Sequence, residues 1–476
     1  MERKITEKLI EWKNQSGHLP LIIVGCRQVG KTYSIKEFAS REYRSHVYIN
    51  FEIQPEKKEL FKGDLGADEL ISRIILSENI RMYDGRSAIV LDEIQACTDA
   101  YSALKPLSED GRYDVICSGS FLGANLGDTD NSLSPLGYAE IVQMHPMDFE
   151  EYLWAMGVNK DLISDVRDEV QNLNHVDDYF HDAFTKHFRT YMVVGGMPAA
   201  VKVYSETKDY VRTADVLRNI VAILKKDTGK YSRKAGRMKI NKCLESIPRQ
   251  LSKEKKKFLY SDVEKKKGVG KKTYGNALDW LKEAGLITIC NNLTEPNKPL
   301  SGKVIEDSFK VFMNDTGLLM TLVDGYDPAD IVLRDPYSNN GAVMECAMAS
   351  ALVKKGYPVY FYSKKDSTLE IDFVTESEGT PLLIEVKSGR NKRAKSLSVL
   401  MNEKDRKRKG IKIMDSNITI DDQGVVHLPL YAACFFKDVA VSDIPEPPAA
   451  DELNRIYREK GNLRPRWASS TGTRVK

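Results

Sequence analysis

The segment that most constrains the fold is Gly25–Thr32, which reads GCRQVGKT and matches the pattern GxxxxGK[ST] in full. The apolar run before it, Leu21–Val24, has the composition of a buried parallel strand, and the residues after it have helix-like spacing. Glycines let such a loop wrap around phosphates with its N–H groups pointing inward, and the following helix adds its positive N-terminal end. The spacing therefore predicts a strand, a phosphate-binding loop and a helix.

Each residue of this loop has an expected role in binding ATP and Mg²⁺. Lys31 is expected to bridge the β- and γ-phosphates, and the Thr32 hydroxyl is expected to bind Mg²⁺. The predicted cofactor-binding residues of the loop are Gly25, Cys26, Arg27, Gln28, Val29, Gly30, Lys31 and Thr32.

A second motif, Ala88-Ile-Val-Leu-Asp-Glu93, follows roughly 60 residues after the phosphate loop. An apolar strand here would deliver Asp92 to Mg²⁺, directly or through a water molecule, and Glu93 would polarise the attacking water. The next apolar run ends in Cys117-Ser-Gly-Ser120, where Ser118 is a candidate for contact with the γ-phosphate. A simple Ser-Gly turn is the open alternative. Lys31 and Glu93 are thus the predicted catalytic residues, and Thr32 and Asp92 the predicted metal ligands.

Further apolar runs at residues 46–51, 87–92, 113–118 and 139–144 are separated by helix-length segments. Strands that alternate with helices in this way predict a doubly wound α/β layer.

The rest of the chain divides by changes in pattern. Residues 1–150 would form the nucleotide-binding core and 151–238 a helical lid or linker, because helical spacing dominates there. Residues 239–300 read helix, short helix, helix and strand, the outline of a winged helix-turn-helix. Residues 301–441 return to mixed α/β, and 442–476 have the composition of a loose tail.

An ordered set of motifs resembles one family. The segments are GCRQVGKT, IVLDEIQ, SGS, MHPMDFEEYL, VVGGMPAAV, FKVFMNDTGLL, GAVMECAMASAL and EIDFV…LLIEVKSG. Together they resemble bacterial and archaeal AAA-type ATPases that carry a C-terminal domain of unknown function. The resemblance implies an α/β fold with a P-loop NTPase core of the AAA type. That family usually has Gly-Arg before the fifth strand, where this chain has Gly137-Tyr138. Candidates to replace that arginine are Arg112, Arg189 and Arg218.

The C-terminal strands resemble the PD-(D/E)xK nuclease core, which would make this a restriction-endonuclease-like α/β domain. Glu385 and Lys387 share one face of a strand because side chains alternate, and Asp372 lies thirteen positions earlier on a neighbouring strand. Two carboxylates could hold a second divalent metal while the lysine orients water. Glu345, on the preceding helix, could complete the set. A binding scaffold without cleavage is the open alternative.

Basic charge is concentrated in two segments. Residues 249–275 carry ten Lys/Arg against three Asp/Glu, and residues 390–409 carry nine against two, so each has a net charge of +7 while the chain totals +3. This pattern suggests a footprint for the phosphate backbone of DNA or RNA, with solvated lysine-rich surfaces as the alternative.

The scattered set of seven cysteines favours buried thiols in a reducing compartment, and no apolar run is long enough to cross a membrane. We therefore expect a cytoplasmic protein whose ATP hydrolysis is coupled to nucleic-acid binding or cleavage by the C-terminal half. The alternative is a nucleotide-dependent switch or regulator, without nuclease activity, that docks DNA or a partner protein. Homo-oligomerisation stays open.

Overall fold

The computed structural model describes residues 1–63, 66–119, 137–231, 234–264, 266, 268–323, 341–364, 367–387, 395–403 and 408–438. The α-helices are α1 (Ile5–Asn14), α2 (Lys31–Glu42), α3 (Ala67–Glu78), α4 (Thr98–Asp110), α5 (Phe149–Ala155), α6 (Lys160–Gln171), α7 (Asp178–Val194), α8 (Pro198–Thr207), α9 (Tyr210–Tyr231), α10 (Lys234–Leu251), α11 (Tyr260–Val263), α12 (Lys271–Glu283), α13 (Thr316–Thr321), α14 (Gly341–Lys354) and α15 (Lys395–Met401). The strands are β1 (Leu21–Val24), β2 (Ser45–Asn50), β3 (Ser87–Asp92), β4 (Asp114–Gly119), β5 (Glu140–Gln143), β6 (Ile287–Leu293), β7 (Val304–Met313), β8 (Tyr360–Ser363), β9 (Glu370–Ser377), β10 (Thr380–Val386), β11 (Lys409–Met414), β12 (Thr419–Ile420) and β13 (Val426–Pro429). Short 3₁₀ helices cover Pro55–Phe61, Ile94–Ala96, Ser301–Lys303 and Leu430–Asp438.

The first sheet has five parallel strands in the order β2-β3-β4-β1-β5, which confirms the predicted α/β layer. The interior strand β3 is buried at all six positions, as its continuous apolar sequence requires. Because the strands are parallel, their carboxyl ends meet at one edge of the sheet. That edge gathers the phosphate loop after β1, Asn50 at the end of β2, Asp92 at the end of β3 and Ser118 near the end of β4.

Helices α5 to α9 follow the first sheet, in agreement with the helical character expected for residues 151–238. Helix α5 begins with a capping box in which the Asp148 side chain accepts from the Glu151 backbone N–H and the Glu151 side chain accepts in return. A cluster of aromatic rings, including Phe149, Phe188 and Tyr191, joins α5 to α7. The segment between β5 and α5 lies close to the start of the phosphate loop, because the Met144 backbone N–H donates to the Val24 carbonyl oxygen at 2.7 Å.

Residues 234–313, which we call the helix–hairpin unit, contain α10, α11 and α12 followed by the antiparallel strands β6 and β7. The order of elements agrees with the winged-helix expectation, and assignment to that class remains a proposal. Strand β6 also pairs in parallel with β8, so the hairpin belongs to the C-terminal sheet. The boundary expected at residue 300 therefore falls between two strands of one continuous sheet. The sequence pattern of each strand carried no information about this pairing across some 70 residues.

The second sheet has eight strands in the order β12-β13-β11-β10-β9-β8-β6-β7. Most residues of helix α14 are buried in the core, and its sequence is correspondingly apolar on nearly every side. All seven cysteines are free and buried. In the described residues, no helix combines the length and the apolar character needed to cross a membrane. The tail at 442–476 lies outside the described residues, as do Ser120 and parts of both basic segments at 265, 267, 390–394 and 404–407.

Candidate functional site

The phosphate loop runs from the end of β1 to the start of α2 and needs glycine at both of its ends. Gly30 has a φ of 95°, in the left-handed region where a side chain is strained. At Gly25, a Cβ atom would come within 2.1 Å of the Met144 carbonyl oxygen. Both glycines of the motif are thus required by the backbone path.

Lys31 lies inside this loop and is only 5% exposed. Its ammonium donates hydrogen bonds to the carbonyl oxygens of Gly25 at 2.8 Å and Cys26 at 3.1 Å. Burial lowers the pKa of Lys31, and the nearby Glu93 opposes that shift. The cation is thus held in a poorly solvated loop, where its interaction with phosphate charge would be strong.

Asp92 is held by four neutral donors at the edge of the sheet. Thr32 Oγ1 donates to its two oxygens at 3.2 and 3.0 Å, and the Ser118 hydroxyl donates to Oδ1. Tyr48 Oη and Asn50 Nδ2 donate to Oδ2 at 2.6 and 2.8 Å. The structure thus brings the two predicted Mg²⁺ ligands, Thr32 and Asp92, together.

Tyr48 and Asn50 were missed by the sequence reasoning, although a signal was present. Both lie on β2, which is next to β3 in the sheet, and the register pairs Asn50 with Asp92. Polar residues at the carboxyl end of an otherwise buried parallel strand are candidates for such a site.

Glu93 follows Asp92 in a left-handed conformation with a φ of 53°. Its backbone N–H donates to Ser118 Oγ at 3.1 Å, and its carboxylate accepts from Gln95 Nε2 at 2.5 Å. Ser118 is fully buried and binds Asp92 and Glu93. Ser118 thus helps to position the two acidic residues, and its contact with a γ-phosphate stays a prediction.

Two arginines make contacts at the phosphate loop: Arg3, which was not predicted, and Arg27, which belongs to the predicted loop itself. Arg3 donates to the Val29 carbonyl oxygen at 2.6 Å and to the His145 carbonyl oxygen at 2.7 Å. Arg27, inside the loop, forms ion pairs with Glu52 and with Asp227 of α9. The three arginines considered as replacements form ion pairs elsewhere. Arg112 pairs with Asp68 and Asp110, Arg189 with Asp415, and Arg218 with Asp215.

The four residues of the nuclease-like prediction do converge in space. Strands β9 and β10 are antiparallel with Ile384 opposite Phe373, so the next position along brings Glu385 opposite Asp372. The Asp372 carboxylate accepts from the Val386 backbone N–H at 2.8 Å, and the Lys387 ammonium pairs with Glu385. Burial and the nearby Glu345 raise the pKa of Asp372 to about 7.

Lysines from other elements also enter this cluster. Lys310 of β7 is 1% exposed, and its ammonium lies 3.6 Å from Glu345 Oε2 and 2.8 Å from Glu370 Oε1. Burial alone would lower the pKa of Lys310, but Glu345, Asp372 and Glu370 raise it above its ordinary value. Lys256, which precedes α11, pairs with the other oxygen of Glu345. We call Glu345, Glu370, Asp372 and Glu385 the acid cluster.

The side chains of the acid cluster do not fit a second divalent metal as they are arranged. Ammonium groups engage both oxygens of Glu345 and one oxygen of Glu385. Across the described ranges, no group of three or more His, Cys, Asp or Glu side chains is placed to hold a metal ion.

Three family models match successive parts of the chain. Residues 18–153 match an AAA domain, residues 185–328 match a domain of unknown function (DUF8612), and residues 340–432 match another domain of unknown function (DUF4143). The second match extends across the boundaries expected at 238 and 300. A search of curated proteins finds no match.

Three solved structures illustrate the partial similarity of this chain to known folds. The Aeropyrum pernix Orc1 protein in complex with DNA is 10% identical with a TM-score of 0.29, covering 68% of this chain and 91% of its own. Domain III of the Thermotoga maritima replication initiation protein DnaA is 16% identical with a TM-score of 0.26, covering 45% of this chain and 90% of its own. Cdc6p from Pyrobaculum aerophilum is 14% identical with a TM-score of 0.23, covering 60% of this chain and 85% of its own. At these TM-scores the similarities carry no argument about function.

The match to an AAA domain covers the same N-terminal segment that contains the candidate nucleotide site. The matched segment contains the five-stranded parallel sheet, the complete phosphate loop and the acidic residues at the end of β3. Residues 18–153 therefore form an AAA-type P-loop domain.

Proposed function

We propose that this chain hydrolyses ATP with Mg²⁺ and uses its nucleotide state to control nucleic-acid binding by its C-terminal half. One contact carries the proposal. The turn between α12 and β6 lies against the phosphate loop, so that a Cβ atom at Gly285 would be 3.3 Å from the backbone nitrogen of Cys26. The phosphate loop, which would bind nucleotide, and the lysine-rich helix–hairpin unit are thus in direct contact.

The chemistry proposed for the nucleotide site follows from its donors. Lys31 would leave the loop carbonyls for the β- and γ-phosphates, and Thr32 with Asp92 would hold Mg²⁺. Glu93 would orient and polarise the attacking water, with Ser118 and Gln95 fixing its direction. Mg²⁺ would neutralise charge on the phosphates.

A second route supports coupling between the halves. The Met147 backbone N–H donates to Gly196 O at 2.7 Å, and the Gly196 N–H donates to Asp315 Oδ2 at 2.6 Å. A Cβ atom at Gly196 would come within 2.0 Å of Met147 O, so this junction of three segments leaves no room for a side chain. Movement at the segment after β5 would therefore be transmitted to α13, which Asp315 caps.

The basic surface supports the choice of nucleic acid as the ligand. Lys255, Lys271 and Lys272 of the helix–hairpin unit are exposed, and the last two begin α12. Lys253 and Lys266 instead pair with neighbouring carboxylates, which reduces the effective charge of the segment. Exposed lysines at the start of one helix could contact successive backbone phosphates.

The proposal is tested by moving the Gly285 turn. In Gly285→Ala, the new methyl group would press against the phosphate loop, and the φ of 69° would add strain of about 1–2 kcal/mol. We expect the ratio of DNA affinities measured with and without ATP to move toward one, because the coupling contact is disturbed. Fluorescence anisotropy with a labelled duplex would measure both affinities.

Gly111→Ala is the matched control, because Gly111 has a φ of 67° and open space around its Cβ position. It carries the same backbone strain without touching the loop. Equal changes in the two variants would show that the Gly285 contact does not couple the sites. Absence of ATP turnover, or of DNA and RNA binding at low salt, would overturn the proposed function itself.

A further inference from the structure

The acid cluster surrounds a buried lysine, Lys310, that neither the nuclease-like motif nor the proposed nucleotide-dependent function explains. Lys310 lies between Phe309 and Val311 on β7, in a strand whose neighbouring positions are buried and apolar. Placing an ammonium group in such an interior is costly unless carboxylates surround it. Its surroundings must therefore supply that compensation.

The carboxylates around Lys310 come from two other elements. Glu345 Oε2 of α14 lies 3.6 Å from its ammonium, and Glu370 Oε1 of β9 lies 2.8 Å away. Asp372 is close enough to interact electrostatically, and the ring of Phe361 lies 4.9 Å from the ammonium. The cation is thus placed among the side chains that would otherwise be available to a metal.

Further lysines pair with some of the other acidic oxygens. Lys256 pairs with Glu345, Lys387 pairs with Glu385, and Lys412 of β11 is in register with Glu385 on the neighbouring strand. Lys256, Lys310 and Lys387 thus all form ion pairs with carboxylates of the acid cluster. This balance leaves little net negative charge to attract a divalent cation.

Two buried oxygens mark where a ligand could still be accepted. Glu385 Oε2 and Glu345 Oε2 have no hydrogen-bond partner among the described residues, and the latter has only the ion pair with Lys310. Buried acceptors without donors are costly. These two oxygens would be available to bind a metal ion if the Lys310 ammonium were removed from between the carboxylates.

We propose that Lys310 is the resident cation of the acid cluster and takes the place of a divalent metal there. The C-terminal domain then folds without a metal, and removal of the Lys310 charge converts the cluster into a divalent-cation site. This inference is independent of ATP hydrolysis.

The test uses the full chain, freed of metal by chelation and without nucleotide, titrated with Mn²⁺ by calorimetry and by thermal unfolding. Wild type should show no Mn²⁺ site that depends on Glu345. Lys310→Met should unfold at a lower temperature without metal, should bind one more Mn²⁺ per chain than wild type, and should regain stability as Mn²⁺ increases. Lys310→Met/Glu345→Gln should lose that Mn²⁺ binding.

Lys303→Met is the matched control, since it removes a lysine that lies at the end of the short 3₁₀ helix before β7 and pairs with Glu295, away from the acid cluster. It should gain no Mn²⁺ site. A folded Lys310→Met chain that binds no more Mn²⁺ than wild type would overturn the proposal. So would a wild-type Mn²⁺ site that disappears in Glu345→Gln, a result that can be obtained even if Lys310→Met does not fold.

Discussion

The nucleotide site and the acid cluster both collect buried carboxylates on a sheet, but they satisfy them with different partners. The Asp92 carboxylate accepts hydrogen bonds from the hydroxyl and amide groups of Thr32, Tyr48, Asn50 and Ser118. These donors are neutral, so the carboxylate keeps its negative charge. The acid cluster is held by ammonium groups, foremost that of Lys310. Neutral donors orient a carboxylate and leave its charge for a metal, whereas lysines neutralise it. The presence of acidic residues alone therefore does not distinguish a metal site from a salt-bridged core.

The largest expected effect separates binding from chemistry within the nucleotide site. Lys31→Ala should abolish ATP turnover and weaken nucleotide binding, because the loop loses the cation that faces the β- and γ-phosphates. Glu93→Gln should keep nucleotide binding and slow hydrolysis by about 10²- to 10⁴-fold, because only activation of water is lost. Turnover assays and binding of a fluorescent ATP analogue would measure both.

Glu109→Gln, an exposed position on α4, is the control for removing one carboxylate. If Lys31→Ala and Glu93→Gln lost nucleotide binding equally, the separate roles assigned to the two residues would be wrong.

A smaller effect tests whether neutral donors tune the metal site. Tyr48→Phe removes one donor to Asp92, and such partners of metal ligands typically alter metal affinity by about 10- to 100-fold. We expect the Mg²⁺ concentration for half-maximal ATP turnover to rise. Tyr43→Phe is matched, because the Tyr43 hydroxyl donates to Asp114 at 2.6 Å and does not contact Asp92. If wild type and Tyr48→Phe required the same Mg²⁺ concentration, the idea that neutral donors prepare Asp92 to bind a metal would be wrong.

The smallest effect concerns the basic surface. Lys271→Glu/Lys272→Glu should weaken binding to all DNA sequences alike and reduce the slope of log affinity against log salt by about 2, for two lost phosphate contacts. Lys62→Glu/Lys202→Glu, at two exposed lysines elsewhere, changes the net charge equally. If both pairs of reversals changed the slope to the same extent, net charge rather than a defined surface would explain the binding.

Local motifs were predictable from the sequence because their residues are adjacent in the chain. The glycines of the phosphate loop, Lys31, Thr32 and the Asp92-Glu93 pair follow apolar strands, and the observed strands of the first sheet lie within one or two residues of those expected. The alternation of side chains along a strand was likewise enough to predict that Glu385 and Lys387 share a face.

Partners that arrive from distant elements were not predictable in the same way. Tyr48, Arg3 and Asp227 reach the nucleotide site through sheet order and helix packing, which no local pattern specifies. The sequence did contain a signal for Lys310, because it is the single lysine within the apolar run FKVFM. A charge in the middle of an apolar run indicates a buried counter-charge, although not which carboxylate supplies it.

The parallel pairing of β6 with β8 limits how this chain can be divided, by an experimenter or by recombination between genes. A fragment ending at residue 323 would keep β6 and β7 but expose the backbone groups of residues 291–293 that now face β8. An open edge of this kind favours self-association into larger aggregates. The helix–hairpin unit and the C-terminal strands are therefore best regarded as a single structural unit, and a swing of the Gly285 turn away from the phosphate loop would displace the whole eight-stranded sheet.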